Sequence, residues 1–143
     1  MGEQQLSNSD RVRITFEAFN DREFERANDY VHEDLRWQEV PSGRFFEGRE
    51  GLQAEYKSWL TAFPDGKVEI LNMIEGTSAD GKEWVIAEYV VRGTNTGPMH
   101  GPDGTDIRPS GKAVEIRACD VMNLRDGRVT GGRGYFDTGA LAG

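Results

Sequence analysis

Cysteine is almost missing: Cys119 stands alone, so no internal disulfide is possible, and with only His32 and His100 beside it no zinc-ligand spacing occurs. Cationic charge is short as well. Lys and Arg number 17 against 25 Asp and Glu, a formal net charge of -8 whose field repels phosphate backbones and anionic lipid, so neither nucleic acid nor a membrane surface is an expected partner. No apolar run is long enough to cross a bilayer, and the opening Met1-Gly-Glu-Gln-Gln-Leu-Ser-Asn-Ser has neither the basic start nor the apolar stretch of a secretory leader. A cytoplasmic location is the default expectation.

Several chemistries are excluded by spacing. His32-Glu33-Asp34-Leu35-Arg36 lacks the second histidine of a zinc-protease helix, and Gly111-Lys112 has Asp106 where a phosphate-binding loop needs glycine. Gly131-Gly132-Arg133-Gly134 does not have dinucleotide-binding spacing, and no Gly-x-Ser-x-Gly elbow exists. What is left is proton transfer without metal or cofactor, or plain small-molecule binding.

At 143 residues the chain reads as one domain, 1–143, with residues 1–8 a flexible N-terminus. Val12, Phe16 and Phe19 recur at helical spacing behind a Ser7-x-x-Asp10 capping box. A second helix is predicted from Asp21 to about Val31, carrying Phe24 and Ala27, and a short strand from Leu35 to Val40. Leu52, Tyr56, Trp59 and Phe63 mark a third helix that Pro64 stops. Strands follow at 67–75, 83–93, 112–124 and 128–137, with Asp-Gly turns at 80–81 and 126–127. Helices first and antiparallel strands second is the α+β order, helices covering one face of a bent sheet. The Gly- and Pro-rich stretch 93–111 is a long loop, either a cover for a pocket mouth or plain surface.

A two-residue turn at Asp126-Gly127 sets a register: Leu124 opposite Val129, Met122 opposite Gly131, Asp120 opposite Arg133, Ala118 opposite Tyr135 and Ile116 opposite Asp137. This puts Met122, Asp120, Arg133, Tyr135 and Asp137 on one face. If the helices cover that face, Asp120 is held ionised by Arg133, and Asp137, without a cation beside it, has the raised pKa of a proton shuttle. The other reading is an ordinary cross-strand ion pair with Asp137 capping the strand end. A bulge among Gly131, Gly132 and Gly134 would break the register.

The order and spacing of Phe46-Glu-Gly-Arg-Glu-Gly51, Ala62-Phe-Pro-Asp65, Gly93-Thr-Asn-Thr-Gly-Pro98, Arg108-Pro-Ser-Gly-Lys112, Asp126-Gly-Arg-Val129 and Tyr135-Phe136-Asp137 carry a resemblance across about residues 10 to 143. The chain resembles the SnoaL-like polyketide cyclase (ester cyclase) group of the nuclear transport factor 2-like superfamily. The resemblance implies a cone of three N-terminal helices on a strongly curved mixed β-sheet enclosing a pocket, assembled as a homodimer or homotetramer. It also implies an aldol-type ring closure on a hydrophobic carbonyl compound, with no cofactor and with the closing aspartate, Asp137, as acid/base. Two positions depart from the pattern: Asn95 stands where many relatives have histidine, and the chain ends in a shortened Leu141-Ala-Gly143. Arg133-Gly-Tyr-Phe-Asp137 also matches the ending of limonene-type epoxide hydrolases, but Tyr89 and Val91 replace that branch's arginine and aspartate. Spacing similar to the ketosteroid isomerases makes Glu39 a second base candidate, its alternative being a solvated strand-end residue. An isomerase, an epoxide-opening enzyme or a non-catalytic binder of the same superfamily remain as alternatives.

Phe16, Trp37, Tyr56, Trp59 and Tyr89 are spaced as core residues, and in a cone with a cavity some of them also line the ligand site, together with Met122 and Tyr135. Asn95 and His100 are placed to reach the pocket mouth from the long loop.

Overall fold

The computed structural model describes residues 6–100, without the side chain of His100, and residues 105–141. The expected capping box forms: the Ser7 hydroxyl accepts from the Asp10 N–H at 3.0 Å and the Asp10 carboxylate accepts from the Ser7 N–H at 3.2 Å. It starts helix α1 (Asn8–Asn20), and Asn8 reaches across to Glu83 at 2.6 Å. Of the flexible terminus expected at 1–8, residues 1–5 lie outside the described residues, whereas Ser7 and Asn8 are held in place.

Arg22 ends the first helical segment in a left-handed conformation with φ of 60°, and its guanidinium donates to the carbonyls of Phe19, Pro64 and Gly66 at 3.0, 3.1 and 2.7 Å. The chain then continues as a 3-10 helix, Phe24–Tyr30, rather than as the predicted α-helix. Strand β1 (Val31–Glu39) begins where that helix was expected to end, with Val31 buried at its head. An unforeseen strand β2 (Arg44–Glu47) turns back on β1 through Pro41-Ser42-Gly43, and helix α2 (Gly48–Ala62) follows.

Strands β3 (Lys67–Thr77) and β4 (Glu83–Thr94) pair antiparallel. Inside the long loop two short strands, β5 (Met99–His100) and β6 (Asp106–Ile107), pair with each other. The long hairpin of β7 (Ala113–Arg125) and β8 (Arg128–Phe136) and a 3-10 turn, Thr138–Leu141, complete the fold. The main sheet runs β2-β1-β8-β7-β4-β3, parallel only between β1 and β8, so it is mixed, as the resemblance implied. It curves without closing, and the three helices pack on it as an α+β cone. No helix among the described residues is long and apolar enough to cross a membrane.

Two apolar clusters hold helices to sheet. Val12 of α1 meets Val31, Leu35, Val85, Met122 and Leu124, while Ala62 and Phe63 at the end of α2 meet Ile116. Between helices and sheet a cavity remains.

The β7–β8 register follows the two-residue turn only for its first pairs, Arg125 with Arg128 and Leu124 with Val129. A bulge at Thr130, whose hydroxyl accepts from Asn123 Nδ2 at 2.8 Å and donates to the Asn123 carbonyl at 3.2 Å, then shifts the pairing. Beyond it Met122 faces Gly132, Asp120 faces Gly134 and Ala118 faces Phe136. Glycine suits this crowded stretch, since a Cβ on Gly132 would lie 2.4 Å from the Val121 carbonyl oxygen. A shift of one residue inverts every later side chain on one strand.

Candidate active site

The inversion decides which candidates reach the cavity. Arg133, Tyr135 and Asp137, expected inside, are exposed; Gly134 and Phe136 take the inward positions. Arg133 does not pair with Asp120 but donates to the Tyr135 hydroxyl at 3.0 Å, and Tyr135 is 41% exposed. Asp137 caps the final turn by accepting from the Gly139 N–H at 2.9 Å, which is the strand-end alternative rather than the shuttle. Asn95 is not at the mouth either. It is 3% exposed, and its amide group donates to the carbonyls of Ala62 and Gly97 and accepts from the Ser110 N–H, tying both ends of the long loop to α2. The His100 side chain lies outside the described residues.

The other candidates converge. A cavity of about 170 Å³ is lined by Phe16, Trp37, Glu39, Tyr56, Trp59, Tyr89, Asp120 and Met122, within walls that are otherwise largely apolar. Two polar groups break that surface.

The first is Asp120. Burial lifts its carboxyl to about 7, and the Tyr89 hydroxyl, donating at 3.0 Å, partly offsets the rise by favouring the anion. Burial and the neighbouring aspartate together drive the Tyr89 phenol well above its ordinary value, so it remains a donor. Phe16 meets Tyr89 edge-on with ring centroids 4.9 Å apart. Space for the carboxyl depends on Gly134, where a Cβ would sit 3.2 Å from both Asp120 Oδ1 and Trp37 Nε1. Two donors stay unused: neither the Trp37 indole N–H nor the Tyr56 hydroxyl has a hydrogen-bond partner among the described residues. Burial raises the Tyr56 phenol as well, with Asp120 adding to the effect, so both tyrosines keep their protons.

The second is a carboxyl pair absent from the sequence-based candidates except for Glu39. Glu55 hydrogen-bonds Glu39, and burial, with that neighbour second, lifts it to about 8. Trp59 Nε1 donates to Glu55 Oε2 at 3.0 Å, Ser42 donates to Glu39 Oε1 at 2.8 Å, and Arg44 lies 3.5 Å from an oxygen of each glutamate. Trp59 is itself packed between Phe63 and Phe136, at 5.9 and 5.4 Å. The sequence did carry a signal for Glu55. It sits three residues after Leu52 and four before Trp59, an acid on the apolar stripe of α2.

Comparison with solved structures gives the same architecture. IdmH of Streptomyces antibioticus, a candidate polyketide cyclase, superposes with a TM-score of 0.77 at 20% identity, covering 96% of each chain. A candidate SnoaL-like polyketide cyclase from Jannaschia sp. CCS1 gives 0.76 at 21% identity, covering 97% of this chain and 94% of that one. AclR of Streptomyces galilaeus, a candidate hydroxylase, gives 0.73 at 16%, covering 94% and 91%. At these identities the likeness concerns the fold, and no curated protein matches the chain. The family model for the SnoaL-like polyketide cyclases matches residues 9–142, nearly the whole chain, and with the helices, mixed sheet and cavity in place the protein belongs to that family.

Proposed function

We propose that the cavity performs general acid/base chemistry on a hydrophobic, carbonyl-bearing small molecule, an intramolecular aldol-type ring closure in which Asp120 takes and returns the proton. One observation carries the reading: a carboxyl facing an apolar cavity, supported by a single hydroxyl and raised to about 7, where both of its protonation states are accessible at neutral pH. The ionised Asp120 removes a proton from the carbon next to a ligand carbonyl, and the electron pair of that C–H bond moves toward the carbonyl oxygen. Trp37 N–H or Tyr56 O–H, both without a partner among the described residues, receives the charge developing there. The enolate carbon then attacks a second carbonyl of the same molecule, forming the C–C bond. The new alkoxide recovers the proton from the Asp120 carboxyl, so the product is an isomer of the substrate and the enzyme is unchanged.

The test uses the first half of this sequence. In D2O the protein is expected to accelerate exchange of the hydrogens next to the carbonyl of 1-tetralone, followed by proton NMR, and Asp120→Asn to lower that rate by about 10²- to 10⁴-fold while still binding the ketone. Asp137→Asn should exchange at the wild-type rate. Exchange undiminished in Asp120→Asn overturns the assignment. No acceleration by the wild type, with the ketone bound, leaves the cavity a binding site only.

A further inference from the structure

Asp120 and Glu39 lie in one row across the sheet. Asp120 pairs with Gly134 between β7 and β8, and Gly134 pairs with Glu39 between β8 and β1. Two strand spacings, about 10 Å at the backbone, therefore separate them, and the residue between them has no side chain. Both line the same cavity, yet burial and Tyr89 alone set the Asp120 carboxyl, with no contribution from the glutamates. The cavity thus has two polar ends, set apart across a glycine floor.

The far end is built rather than incidental. Glu39 comes from β1 and Glu55 from α2, with side chains only 12% and 16% exposed, and Arg44 of β2, 46% exposed, reaches both from a smaller adjoining pocket. A hydrogen bond between two carboxyl groups requires a proton on one of them, and burial keeps it on Glu55 at neutral pH. A ligand carboxylate there would crowd against two closely placed carboxyl groups, whereas a ligand hydroxyl can donate to a carboxyl oxygen.

We propose that the paired Glu39 and Glu55 carboxyl groups are a second ligand-binding end of the cavity, which takes a neutral hydroxyl. The substrate class that follows is a neutral hydrophobic molecule with oxygens at two separated ends, not a carboxylic acid. This rests on Asp120 handling the carbonyl at the other end.

Three probes test it at pH 7, their affinities read from quenching of tryptophan fluorescence: 1-tetralone, 6-hydroxy-1-tetralone and 6-carboxy-1-tetralone. The wild type should bind the hydroxy compound about 3- to 10-fold more tightly than 1-tetralone, and the carboxylate more weakly than either. Glu55→Leu should erase the advantage of the hydroxyl, while Asp120→Asn keeps it. If Glu55→Leu does not fold, the wild-type series decides: equal affinities, or a preference for the carboxylate, overturn the proposal. Loss of the hydroxyl advantage in Asp120→Asn but not in Glu55→Leu also overturns it. Failure of all three probes to bind overturns both this proposal and the ligand class assigned to Asp120. The α-hydrogen exchange of 1-tetralone stays the separate measure of Asp120, so accelerated exchange without a hydroxyl preference sinks the second end alone.

Discussion

Burial of Asp120 ties its chemistry to the stability of the fold. An unfolded aspartate titrates near 3.8 and the folded one near 7, so between these values the native state holds a proton that the unfolded chain has released. Stability therefore falls as pH rises through that window and levels off above it, and Glu55, moved from 4.5 to about 8, acts with the same sign. Urea titrations at pH 5 and pH 8.5 should show the wild type losing on the order of a few kcal/mol across the interval, with Asp120→Asn losing distinctly less. Activity runs the other way. The base must be ionised, so exchange of 1-tetralone should rise with pH around an apparent value near 7, and an enzyme whose rate is flat from pH 5 to 8.5 would contradict the role given to Asp120. Among the described residues the Asp137 side chain makes one hydrogen bond, the exposed one from the Gly139 N–H, and asparagine can accept it too, so Asp137→Asn should change stability by less than about 0.5 kcal/mol.

Among the elements, the bulge sets which side chains of the last hairpin reach the cavity, and the long loop is tied to the end of α2. Asn95 joins β4 to the carbonyl of Ala62, to Gly97 and to Ser110, and its own carbonyl accepts from the Gly111 N–H at 2.8 Å. Asn95→Leu removes the side-chain bonds and leaves the Ser110 N–H and the Ala62 carbonyl without that partner, at a cost of about 1–3 kcal/mol in chemical denaturation. Close beside it Gly97 runs against the end of α2, where a Cβ would come within 1.8 Å of the Thr61 carbonyl oxygen. Gly97→Ala should cost more than Asn95→Leu, because here backbone rather than a movable side chain must yield. The helix spacings, the capping box and the Asp-Gly turns were legible in the chain, since each rests on contacts within a few residues. The bulge was not: glycines showed where it was possible, but the choice of Thr130 depends on Asn123, seven residues back on the facing strand.

For the molecule as a whole, the site is the gap between two packed clusters, so the cavity lasts only while both hold. Phe63 is 1% exposed, joins α2 to Ile116 and backs Trp59, and Phe63→Ala should cost about 3–5 kcal/mol in a denaturant midpoint series and weaken 1-tetralone binding with it. Helices before strands and their apolar faces are properties of residue order, and they led from the sequence alone to the α+β arrangement and to most of the aromatic wall, while the cone of the SnoaL-like type came from the resemblance carried by the spaced segments between Phe46 and Asp137. Which carboxyl groups face the cavity was decided only in three dimensions. One inserted residue at Thr130 turned Arg133, Tyr135 and Asp137 outward and left Asp120 inside, because strand side chains alternate and a single step reverses them. The meeting of Glu39, Arg44 and Glu55 likewise required the β1–β2 hairpin to fold against α2, a contact between separate elements that no local spacing encodes.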